Sequence, residues 1–287
     1  HTDNRSRQLS GAERMRLMFP NANVVMMARI AGQFSDDALR TAISKVRERH
    51  ALLGMRVRLD VNQQGWFTSE GVPPIPVTVI PRTHWEMWKD VAIEQHRQPF
   101  LYETGPLIRF ALLMSDETSD LIITAHHAIC DGLSLAYLVR DLLLHLADPD
   151  RPVAGLPIPL LIDESIMPVS VSGNLVSRMM LKLLNRSWER REITFDAADF
   201  RDLHRAFWEE HEGHVLAWAL TETQTSELVA RSRAEEVTVN TALTTAFVIA
   251  QNEVEAAHEY LDRVVISVDF RERLTRPVGE AFAFYAS

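Results

Sequence analysis

The chain has 287 residues, 46% of them apolar and 24% charged, with 39 acidic against 30 basic side chains for a net charge of -9. That length and apolar content supply a large core, in one big domain or two ordinary ones, and exclude a disordered chain. The acidic balance argues against nucleic acid as a partner. No apolar run is long enough to cross a membrane, and nothing at the start has the layout of a signal peptide, so a soluble, cytoplasmic protein is expected. The single cysteine, Cys130, excludes an internal disulfide and a cysteine-built zinc site.

In chain order, Ala22 to Gly32 reads as a buried strand. Ser35 is placed to cap a helix that runs to His50, because Asp36 and Asp37 load its first turn and Leu39, Ile43 and Val46 recur at helical spacing. Met55 to Leu59 alternates like a half-buried strand, and Gly71 to Pro81, with four prolines, is extended or looped. Thr83 to Gln98 predicts a helix, and Pro106 to Met114 and Leu121 to Ala125 predict strands separated by a polar turn. The stripe Leu135, Leu138, Val139, Leu142, Leu143 and Leu146 predicts an amphipathic helix over 133–147. Asp148 to Pro168 carries five prolines and reads as a crossover. Asn174 to Arg191 predicts a helix whose basic face, with Arg178, Lys182, Arg186 and Arg190, is read as solvated. A strand at Val215 to Leu220, helices at Thr223 to Glu235 and Val239 to Glu255, and a strand at Arg263 to Val268 complete the series. The irregular alternation points to an α/β or α+β sheet layered with helices, without internal repeats.

The stretch Thr124 to Leu133, TAHHAICDGL, carries the candidate chemistry. Side chains alternate along a strand, so His126 and His127 point to opposite faces and at most one of them works. Asp131-Gly132 makes a tight turn, with Gly132 free to adopt a left-handed conformation and admit a close backbone approach. One neutral imidazole at the edge of a sheet can take a proton from an attacking hydroxyl or amine. The plainer reading is that Asp131 or Ser134 caps the following helix and both histidines are ordinary strand-end residues. Cys130 is read as a packed thiol rather than a nucleophile. His126, His127 and Asp131 are poor chelators, so no metal is expected. Trp85, Trp88, Trp208 and Trp218 are read as core or interface packing.

His126-His127-Ala128-Ile129-Cys130-Asp131-Gly132 resembles the HHxxxDG signature of the CoA-dependent acyltransferase superfamily, which includes chloramphenicol acetyltransferase, peptide-synthetase condensation domains and polyketide-associated acyltransferases. Arg49 to Arg56, Gln98 to Arg109, Val237 to Leu243 and Val268 to Arg273 are similar to further segments of that family, in the same order. The resemblance implies a chloramphenicol acetyltransferase-like half with a mixed sheet covered by helices, in a two-layer α+β sandwich, plus the start of a second similar half. It implies a lobe at 1–147, a proline-rich linker at 148–170 and a shortened second lobe at 171–287. It makes His127 the general base and His126, Asp131 and Gly132 structural supports. Asp131 is implied to pair with Arg271, or with Arg273 as the alternative, and Gly132 to leave room for a pantetheine arm.

The implied activity is acyl transfer to a hydroxyl or amine, from a CoA or carrier-protein thioester as co-substrate, with no permanently bound cofactor and no acyl-enzyme. The segment Val268 to Gly279 resembles the alcohol and polyketide-associated members and favours an ester product. Family members usually form two complete halves, and no DFGWG-like segment occurs in this sequence. A fragment, a cleaved product or one subunit of a split enzyme is therefore expected, with an exposed apolar seam that a second polypeptide or dimer mate would cover. The competing expectation is a non-catalytic half that binds a carrier protein or serves as a scaffold.

Overall fold

The computed structural model describes residues 6–32, 34–61, 64–162, 166, 196–254, 264 and 266–286. The basic helix expected at Asn174 to Arg191 lies outside the described residues. Two compact units are present, one built from 1–214 together with 268–287 and the other from 215–267. Segment 268–286 folds back onto the first unit, where Arg271 and Tyr285 bond to Asp131.

The first unit is organised by a four-stranded sheet in the order β2 (Asn23–Ala31), β7 (Thr118–His126), β6 (Ile108–Met114), β5 (Val77–Pro81). All its pairings are antiparallel except that of β5 with β6, so the sheet is mixed. Strand β7 is central and buried along nearly its whole length. Its Leu121, Ile123 and Ala125 face a large core shared with α2 (Asp36–Arg49) and α4 (Gly132–Ala147), whereas Ile122 faces a smaller core under α3 (Met87–Arg97). This is the period-two alternation of a strand buried on both faces. A second, three-stranded sheet has the order β1 (Ser6–Gln8), β4 (Gly65–Thr68), β3 (Arg56–Leu59).

Helix α2 starts as its sequence dictates. The Ser35 hydroxyl accepts from the Ala38 N–H at 3.1 Å, Asp36 and Asp37 sit in the positive first turn, and Arg47 and Arg49 in the negative last one. Ahead of it, α1 (Gly11–Leu17) has a reciprocal capping box between Ser10 and Glu13. Gly105, at φ +62°, turns the chain into β6. A Cβ there would lie 2.9 Å from the Met55 carbonyl oxygen, so only glycine fits.

Helix α5 (Ala197–Glu210) also belongs to this unit. Its Phe200 meets Tyr102 edge-on, and the Trp208 indole N–H donates to the Pro20 carbonyl at 3.2 Å. Trp88 packs against the smaller core, whereas Trp85 and Trp218 stay more than half exposed, Trp85 under the Arg29 guanidinium.

The second unit holds α6 (Glu222–Ala234) and α7 (Val239–Val254), close to the two helices expected. The strand expected at Val215 to Leu220 is not formed. No partner strand runs beside it among the described residues, and an unpaired β segment has no ladder to hold it. At the expected strand Arg263 to Val268, the described residues are also outside any strand, and only the following Asp269 makes an isolated bridge, to Ala286. Within α7 no residue is buried, and Phe247 and Ile249 are 53% and 54% exposed. No helix among the described residues is long and apolar enough to cross a membrane.

Candidate active site

The site begins where β7 ends. His126 is the last residue of the strand and His127 the first of the turn that follows, with its backbone N–H held by the Ala22 carbonyl at 2.7 Å. The two imidazoles diverge. His126 is 2% exposed, lies edge-on to Phe100, and accepts the Ala128 N–H at its Nδ1 at 3.1 Å. Phe100 in turn carries the Arg109 guanidinium 4.2 Å above its ring. His126 therefore bears its proton on Nε2. Burial, aided by the neighbouring His127, pushes its pKa down to about 3.

His127 has the opposite tautomer. Its Nδ1 lies 2.7 Å from the Cys130 carbonyl oxygen, which can only accept, so Nδ1 carries the hydrogen and Nε2 is left with a lone pair. The ring is half-buried and stands perpendicular to Phe284, centroids 5.0 Å apart. Burial holds its pKa below the ordinary histidine value and Arg16 adds to this, while the bond to the Cys130 carbonyl and the charge of Asp131 oppose it. The net result is a neutral imidazole that can accept a proton. Cys130 itself is fully buried, and burial pushes its thiol pKa far up, which leaves it a packed, protonated side chain.

Asp131 caps α4, its Oδ1 accepting the Ser134 N–H at 2.8 Å. The same oxygen accepts from Arg271 Nη2 at 2.9 Å, and Oδ2 accepts the Tyr285 N–H at 2.9 Å. Burial alone would raise this carboxyl's pKa, but the bonds from Arg271 and Ser134 outweigh it and the group stays ionised. Ser134 ties the same three segments together: its hydroxyl accepts from Arg271 at 2.8 Å and donates to the Ala283 carbonyl at 2.7 Å. Arg271 rather than Arg273 reaches Asp131, and its other Nη bonds Asp269 at 2.7 Å.

Gly132 departs from expectation. It is the first residue of α4 with no positive φ, and a Cβ built on it meets nothing within 4 Å, so neither a left-handed turn nor a close backbone approach requires glycine there.

A cavity of about 650 Å³ opens beside Leu133, Tyr137 and Arg271, next to the brace that the Asp131–Arg271 pair forms, and His127 does not line it. Among the described residues no cluster of His, Cys, Asp or Glu is arranged to hold a metal ion. Arg16 and Phe284, which flank His127, carry no signal in the sequence. Neither lies in the motif, and only the closing of the fold brings them there.

A mixed sheet with a histidine at the end of its central strand, an aspartate-capped helix and an arginine returning from a distant segment is the arrangement that the resemblance to the chloramphenicol acetyltransferase-like class implies. Comparison with known proteins narrows this. Residues 21–146 match the condensation domain family and residues 212–283 the phthiocerol/phthiodiolone dimycocerosyl transferase C-terminus. The two matches together support the condensation-like, CoA-dependent acyltransferase superfamily.

It is 29% identical over 149 residues to phosphinothricin tripeptide synthetase PhsC of Streptomyces viridochromogenes, covering 49% of this chain and 14% of that protein. To a linear gramicidin synthase component of Brevibacillus parabrevis it is 26% identical over 145 residues, covering 44% of this chain and 3% of that one. The chain thus spans a small part of these relatives' length. In fold it resembles polyketide synthase associated protein 5 from Mycobacterium tuberculosis, with a TM-score of 0.61 and 19% identity over 98% of this chain and 66% of that one. SgcC5 from Streptomyces globisporus gives a TM-score of 0.58 at 15% identity, over 98% and 67%.

Proposed function

We propose that this protein transfers an acyl group from a thioester, carried by CoA or a carrier-protein pantetheine, to a hydroxyl acceptor, with His127 as general base. The observation that carries the reading is the tautomer of His127: a main-chain carbonyl takes Nδ1–H, and an unprotonated Nε2 remains on a half-buried ring. The acceptor O–H gives its proton to Nε2 as its oxygen bonds to the thioester carbon, and the carbonyl electron pair moves onto oxygen. Collapse of that adduct breaks the C–S bond, and the departing thiolate takes the proton back from the imidazolium. No acyl-enzyme intervenes, since holding both substrates in line makes direct attack efficient. Asp131 and Arg271 serve by fixing the loop between His127 and α4, and His126 by packing behind it. A hydroxyl acceptor is favoured over an amine because residues 212–283 match the C-terminus of the phthiocerol/phthiodiolone dimycocerosyl transferases, whose named acceptors carry hydroxyls. A second polypeptide or a second copy of the chain would cover α7, whose residues are all at least partly exposed.

The test is release of free thiol from a panel of acyl-CoAs with a panel of alcohols, comparing the wild-type chain with His127→Ala, alone and with any co-purifying polypeptide. A general base contributes about 10²- to 10⁴-fold, so kcat should fall by that factor. Equal activity of the two proteins removes His127 from the role. Inactive wild-type protein in every preparation supports the alternative, a non-catalytic module that binds a carrier protein.

A further inference from the structure

Arg16 lies on α1, an element that the motif does not include. Its guanidinium carbon sits 5.0 Å from the centroid of Phe284 and 5.7 Å from that of Phe19. Phe284 is 5% exposed and stands perpendicular to His127, centroids 5.0 Å apart at 89°, so two 5.0 Å steps link the guanidinium to the imidazole through one buried ring. Such a stack fixes a cation in place while leaving its N–H groups to point elsewhere. Arg16 Nε is buried and has no hydrogen-bond partner among the described residues. The acidic residue one turn earlier on the same helix, Glu13, is already committed: it takes two bonds from Arg7, at 2.9 and 2.6 Å, and the Ser10 N–H at 2.7 Å.

We propose that Arg16 is a positioning and specificity residue of this site: a guanidinium clamped on aromatic rings that holds positive charge beside His127 and so selects acceptors that are neutral or carry a carboxylate over acceptors that carry an ammonium group. This rests on the reading of His127 as the base. The groups facing His127 are Arg16 from α1, Asp131 from the motif loop, the adjacent His126 and the Cys130 carbonyl. Arg16 favours the uncharged imidazole and Asp131 the charged one, and burial sides with Arg16. The same field stabilises the oxyanion of the tetrahedral adduct.

Two measurements test this on the full chain. The first is the NMR titration of the His127 ring in wild type, Arg16→Gln and Arg16→Lys, with circular dichroism as the check on folding. In Arg16→Gln the midpoint should rise, and Arg16→Lys should keep it near wild type. The second is kcat/KM for a neutral alcohol and for its carboxylate- and ammonium-bearing analogues at low ionic strength. The carboxylate-to-ammonium preference should fall by about tenfold in Arg16→Gln, chiefly through KM. A folded Arg16→Gln whose His127 titrates as in wild type overturns the proposal, as does an unchanged preference. The titration reads Arg16 whether or not the chain turns over. A shifted midpoint in a protein that never releases thiol therefore sinks the acyl-transfer reading and leaves the pairing of Arg16 with His127 standing.

Discussion

Adjacent histidines with opposite tautomers are the local feature on which this site rests. The Ala128 N–H points at His126 Nδ1, and the Cys130 carbonyl points at His127 Nδ1, so the turn itself decides which nitrogen of each ring carries hydrogen. Both rings have pKa values below the ordinary 6.5. In the unfolded chain both take up protons near that pH, whereas in the folded protein they resist doing so. Stability is therefore full above about pH 6.5 and declines as pH drops toward about 3, where His126 protonates in place. Urea unfolding at stepped pH should show that decline, and His126→Gln should flatten it. At Asp131 the sign is reached differently, because its charged form is the one the site stabilises. Asp131→Asn leaves Arg271 as a buried cation with a weakened partner and should cost about 3–5 kcal/mol in urea unfolding, with thiol release falling alongside. A fully stable, fully active variant would remove the brace from the account. The sequence made His127, Asp131 and Arg271 legible through residue type and motif order. Arg16 and Phe284 were not legible, because nothing in their local sequence announces a contact made across more than 260 positions.

Elements with their own punctuation were legible to within a few residues. Ser35 with Asp36 and Asp37 announces α2, and the leucine stripe after Asp131 announces α4. Helix α5 carries similar signals, Asp196 as its cap and Phe200, Leu203, His204 and Phe207 at helical spacing, and could have been found. Strand β5 hides among prolines. An edge strand tolerates them, since only one side of it is paired. The unformed strand at Val215 to Leu220 is the reverse case, apolar residues without a neighbouring ladder among the described residues. The element that positions the site most directly is α4. Its Leu138 is wholly buried in the larger core, so Leu138→Ala should cost about 2–5 kcal/mol by thermal or urea unfolding. Gly105→Ala should also destabilise, through a left-handed backbone and a Cβ pressed on the Met55 carbonyl. A Tm equal to wild type would show that the turn into β6 relaxes freely.

Across the whole first unit, the returning segment 269–286 is held in two ways of unequal strength. Glu280 reaches Arg140 at 2.6 Å and Arg49 at 3.3 Å, but its side chain is 40% exposed, and solvent screens pairs of that kind to roughly 1 kcal/mol or less. Arg271 sits at 6% side-chain exposure against Asp131 at 4%, so its removal leaves a buried carboxylate. Glu280→Ala should therefore barely move the unfolding midpoint, whereas Arg271→Ala should lower stability by several kcal/mol and speed exchange of the Tyr285 amide, which Asp131 holds. The comparison of the two variants in one hydrogen-exchange series checks the ranking.

The bond from Arg271 to Asp131 joins residues 140 positions apart, and the one from the Tyr285 amide spans 154. During synthesis, the strand, the turn and α4 leave the ribosome long before either partner exists. For that interval Asp131 has only the start of its own helix to satisfy its charge. The nascent chain thus holds the candidate base at the end of a formed sheet with an unfinished loop. Closing so distant a contact is the slow, entropically costly part of assembly. A chain stalled before Arg271 is made would keep the local His127–Cys130 contact and lack the two bonds that Asp131 takes from the returning segment.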